Sequence, residues 1–124
     1  MNMNTLWLPK RLRRHFRTEL RAARTATAAG NWPVAFAHLE RAHVLAQRWA
    51  WPHTQVHMLM LGHGLRTRNA RETLGQLPRI VFGFLGSLVG KTPTGNTGGA
   101  NVPAEQPMTI PPDLQALLKA ADGW

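Results

Sequence analysis

Glu40, His43, His53 and His57 are the residues whose types and spacing could do chemistry, because imidazole nitrogens and a carboxylate together suit zinc, iron, nickel or copper. Glu40 and His43 form a Glu-x-x-His step, a ligand spacing used in helical-bundle metal sites, and on a helix both project from one face. His53 and His57 are one helical turn apart and share a face in the same way. A di-iron carboxylate site would need a second such step and two further glutamates, of which only Glu72 is available on the expected fourth helix, so the expected site is mononuclear. Gln47, His63, Glu72 and Gln76 are the polar residues expected to support or extend it. His15 and His38 are expected at the surface.

Other chemistries find less material. The chain has no Cys, which removes disulfides, thiolate nucleophiles and sulfur-ligated metal sites. Ser87 is its only serine and lies in a glycine-rich stretch, while Glu40 with a histidine would act as a base only beside a substrate pocket, for which no spacing argues. No catalytic residue is therefore assigned. Gly90-Lys91-Thr92 lacks the upstream glycine and the preceding strand of a phosphate-binding loop. The Gly95–Asn101 segment reads instead as a capping loop, with Asn96 and Asn101 bonding their own backbone and Met108, Ile110 and Leu114 anchoring it. The histidines also have a purely structural alternative, in which Glu40 bonds His43, Gln47 bonds His57 and His53 sits at a helix N-terminus.

Positioning these residues requires helices. Leu12, Phe16, Leu20, Ala23 and Thr27 recur at helical spacing, as do Trp32, Phe36, Leu39, His43 and Ala46. Val56, Met58, Leu59, Met60 and Leu61 make a third helix apolar on most sides, and a fourth follows, interrupted or kinked at Pro78. The expected architecture is an all-α domain spanning 1–124: four helices at about 9–29, 33–49, 53–66 and 69–85 in two antiparallel αα-hairpins, an ordered Gly/Pro-rich loop over 86–111, and a short helix at 112–121. The first hairpin is tetratricopeptide-like, through the Gly30-Asn31 break and the Leu39-Glu40-Arg41-Ala42 run. With the bend between helices two and three centred at Ala50, His43 lies seven residues before it and His57 seven after, so they meet at one height; Gln47 falls opposite His53, and Glu40 opposite Met60.

With 124 residues the chain makes one domain, and 15 Lys+Arg against 6 Asp+Glu give it a formal charge of +9. Lys10, Arg14, Arg17, Arg21 and Arg24 form a basic stripe that would bind nucleic acid or anionic surfaces non-specifically at low salt. That face motivates the alternative function, a helical adaptor for a protein partner or nucleic acid. No secretory signal and no spanning segment is read in the sequence, which makes the cytoplasm the default compartment.

Five segments carry a resemblance: Leu39-Glu40-Arg41-Ala42-His43-Val44-Leu45-Ala46-Gln47-Arg48; His53-x-x-x-His57; Leu74-Gly75-Gln76-x-x-Arg79; Gly95 to Val102; and Pro107-Met108-x-Ile110-Pro111-x-Asp113-Leu114. In this order they resemble the bacterial domain-of-unknown-function family 3703 over nearly the whole chain, with Pro78 as a departure. The resemblance implies a small bacterial protein of the kind found near heavy-metal resistance genes. The expected function is binding of a divalent transition metal in a sensing, buffering or metal-dependent role.

Overall fold

The structure, a computed structural model, describes residues 5–122, so residues 1–4 and 123–124 of the expected domain lie outside it. Five helices follow in order: α1 (Lys10–Ala28), α2 (Trp32–Ala46), α3 (Ala50–Arg66), α4 (Ala70–Leu88) and α5 (Pro112–Asp122). The described residues contain no strand. α1 packs along α2 and α3 along α4, α2 meets α3 more lightly, and α5 touches both α1 and α2.

The helical stripes read from the sequence make the core. Leu12, Phe16 and Ala23 of α1 pack with Leu39, Ala42 and Leu45 of α2, Val56 and Met60 of α3, and Leu114 and Leu118 of α5. Burying each of the larger side chains stabilises the fold by about 1.5–3 kcal/mol. Glu19 is buried beside this cluster and accepts from Arg41 Nε at 2.9 Å and His38 Nδ1 at 2.7 Å. Arg41 also pairs with Asp113, tying α1, α2 and the start of α5 together. His38, expected at the surface, is half-buried and hydrogen-bonded to Glu19, and His15 is half-exposed.

Pro52 and Pro78 both stand inside helices. The sequence suggests a turn over Trp49–Pro52, yet α3 starts at Ala50, because Pro52 falls in the first turn, where a backbone N–H has no helical acceptor. The second helix correspondingly ends at Ala46, and the bend is Gln47–Trp49. Pro78 does not end α4, which runs unbroken to Leu88; the proline lies on the exposed side, where water can serve the carbonyl it leaves free. α4 then closes with Gly90 at φ 73°, its N–H bonded to Ser87 O (3.2 Å) and that of Lys91 to Gly86 O (2.8 Å). This is a left-handed cap that glycine adopts without strain. The loop accordingly begins at 89 and not at 86.

α4 is oriented against its hydrophobicity. Its buried residues are Glu72, Gln76 and Ser87, while Leu74, Leu77, Val81, Phe82 and Leu85 are exposed. The inward face is polar because it meets the histidines of α3.

Candidate metal centre

His43 of α2 and His53 and His57 of α3 are each about 97–98 % buried and converge on one point. Their Nε2 atoms form a small triangle, with His43–His53 at 2.9 Å, His53–His57 at 3.0 Å and His43–His57 at 3.2 Å. The bend is centred at Arg48 and not at Ala50, so His43 and His53 are the pair equidistant from it, and His57 joins them from one turn further along α3.

The opposite nitrogen of each ring is held from outside. His43 Nδ1 donates to the backbone carbonyl of Asn96 at 2.6 Å, and a carbonyl can only accept. His53 Nδ1 meets Ser87 Oγ at 2.8 Å, and the serine's one proton is committed to the Gln47 carbonyl at 2.5 Å, so the ring is again the donor. His57 Nδ1 meets Gln76 Oε1 at 2.6 Å. The amide cannot be turned round, because its nitrogen donates to the Glu72 carboxylate and to Gly98 O. All three imidazoles therefore carry their proton on Nδ1 and point an unprotonated Nε2 at the same place.

Protonation does not relieve this crowding near neutrality. Burial, with the charges of His53 and His57, pushes His43 well below the ordinary 6.5. Burial lowers His53 to about 3, with His57 adding to the effect, and lowers His57 to about 4 against the opposing pull of Gln76. Three neutral rings thus hold three lone pairs within van der Waals contact, an arrangement without a proton to share.

One ion fits this donor set. The three nitrogens are each about 1.8 Å from their common centre, inside the 2.0–2.1 Å zinc–nitrogen bond, so a single ion reaches all of them. Among the described residues, these three form the cluster of titratable side chains that could hold a metal ion. The outer bonds are of the kind that fixes the tautomer and orientation of metal-ligating histidines.

The other expected site residues take different places. Glu40 does not join the cluster: it is half-buried, its acidity weakened by burial and by Glu72, with the Thr97 hydroxyl pulling the other way. Gln47 bonds the loop, not His57, donating to Pro93 O and accepting from Gly95 N–H, both at 2.8 Å. Glu72 is buried behind Gln76 and accepts the Ala100 N–H at 3.1 Å. His63 packs its ring against Phe36 and Trp32. Lys10, Arg14, Arg17, Arg21 and Arg24 are all exposed along α1.

Residues 89–111 complete the site. Asn96, 1 % exposed, does not merely bond its own neighbours: its amide nitrogen donates to Pro103 O (2.9 Å) and Gln106 O (2.7 Å), which frees its backbone carbonyl for His43. Gly98 has φ 86° and lies so close to His43 that a Cβ there would overlap the ring. The sequence does not mark Ser87, Asn96 or Gly98 as site residues, since Asn96 meets His43 through its backbone carbonyl and Gly98 through the lack of a side chain. Ile110 and Leu114 are buried as the expected anchors, and Met108 half so.

Above the triad lies a cavity of about 350 Å³, lined also by Arg79, Phe82, Lys91, Pro93 and Ala104. The site thus has the pocket for which no spacing argued. No described helix is long and apolar enough to cross a membrane.

No curated protein and no solved structure matches this chain. Residues 10–118 match the family model described as "Protein of unknown function (DUF3703)", and the chain belongs to that family.

Proposed function

We propose that this protein binds one divalent transition metal through Nε2 of His43, His53 and His57 and serves in metal handling. The observation that carries the reading is the convergence of three lone pairs whose protons are all held away by Asn96, Ser87 and Gln76. A purely structural histidine cluster would share protons between rings; this one keeps each of them outside. Zinc, iron, nickel and copper suit neutral imidazoles, and copper heads the expected order of affinity. Glu40 has no part in the proposed ligand set.

Elemental analysis of tag-free protein prepared without chelator tests the proposal, alongside titration of stripped protein with cobalt. Near-stoichiometric metal is expected in the parent, and none in a His43→Ala/His57→Ala variant that circular dichroism shows to be folded. A folded parent that takes up none of zinc, nickel, cobalt or copper refutes it.

A further inference from the structure

Three neutral imidazoles bring no charge to a divalent cation, and they leave at least one position of a four-coordinate ion open. Among the described residues, no carboxylate joins the three histidines. Glu72 is separated from the histidines by the Gln76 amide, and its oxygens are taken by Gln76 and the Ala100 N–H. The cavity over the triad presents cations instead, Arg79 and Lys91, with the exposed Glu105 as the acidic residue of its lining.

Arg79 is held but not satisfied. Its two terminal nitrogens donate to Gly75 O (2.7 Å) and Val102 O (2.9 Å), which fixes the plane of the guanidinium. Its Nε is buried with no hydrogen-bond partner. Nε is closed off from the cavity, so Arg79 acts in its wall as a fixed planar cation, which an anion complements. The remaining walls, Phe82, Pro93 and Ala104, are apolar, and a volume of about 350 Å³ suits a small organic molecule.

We infer that the cavity takes a small organic carboxylate, which completes the coordination of the ion held by His43, His53 and His57 and pairs with Arg79. The inference rests on the metal-site reading above and names the ligand class of that same site. The carboxylate neutralises the ion, meets a fixed planar cation, and places its carbon skeleton against Phe82 and Pro93.

Cobalt-loaded protein titrated with sodium acetate, with acetamide as the neutral control, tests it through the visible bands of the metal. Acetate is expected to shift the bands to saturation with a millimolar or tighter dissociation constant, while acetamide leaves them unchanged. Arg79→Gln is expected to weaken acetate about tenfold or more. Because Arg79 also holds Gly75 and Val102, Lys91→Gln provides a second variant on an exposed side chain, with a loss of a few-fold expected. Cobalt that binds while acetate leaves its spectrum unmoved overturns the inference and spares the metal site. So does an acetate affinity that neither variant lowers. Cobalt that does not bind at all refutes both.

Discussion

Acid is expected to unfold the metal-free protein through its three buried histidines. In the unfolded chain each titrates near 6.5, whereas in the folded chain His57 stays neutral to about 4, His53 to about 3, and His43 is also held far below its ordinary value. The unfolded state then binds more protons, so stability is present above the unfolded value and is lost as pH falls below it. At about pH 5.5, one unit below that value, each histidine has cost about 1.4 kcal/mol and the three together about 4 kcal/mol. Below that the loss approaches three protons, about 4 kcal/mol for each further pH unit, until the folded histidines begin to titrate. Against the 5–15 kcal/mol typical of a domain, the stripped protein should be close to unfolding by about pH 5. Glu40 acts in the opposite sense, because its folded value is raised and acid relieves its burial, while His63 adds to the loss. Urea unfolding of chelator-treated protein, followed by circular dichroism from neutrality to mild acid, measures the slope. A slope of one proton or fewer between pH 6 and about pH 5 would refute the neutral, mutually facing imidazoles.

His53→Leu should abolish metal uptake yet leave the stripped protein within about 1 kcal/mol of the parent, since Ser87 keeps its bond to Gln47 and one lone pair leaves the cluster. His57→Leu should cost about 1–3 kcal/mol more, because it strands the Gln76 carbonyl; denaturant midpoints of the two variants decide this. Gln76→Met frees His57 to turn and should lower cobalt affinity by about 10–100-fold in a spectroscopic titration. Gly98→Ala adds a strained φ to a clash with His43 and should destabilise the fold by at least about 2 kcal/mol, read by thermal unfolding.

The sequence makes the triad legible because a short bend between two helices brings His43 level with the first turns of α3, where His53 and His57 share a face; the Ala50 centre expected from Pro52 is two residues late, since the proline lies inside the helix. Glu40 lies about a turn further from the bend than His43 and does not join the nitrogens. α4 reads backwards by hydrophobic pattern: Leu74, Leu77 and Val81 look like core and are exposed, whereas Glu72, Gln76 and Ser87 face inward. Imidazole N–H groups need acceptors, and that requirement outweighed the burial of apolar side chains. The roles of Asn96 and Gly98 are invisible in the chain because one is played by a carbonyl and the other by the absence of a side chain.

The bond from His43 to Asn96 spans 53 residues, whereas the three ligands lie within 14 residues of one another. Local contacts close at a smaller entropic cost than distant ones, and the two parts of the site differ in this: the ligands belong to the α2–α3 hairpin, and the Asn96 carbonyl to a distant loop. An ion seated there would staple α2 to α3 across their short bend. Stopped-flow experiments should find metal slowing unfolding, and the share of its effect that enters the refolding rate measures how early the hairpin forms.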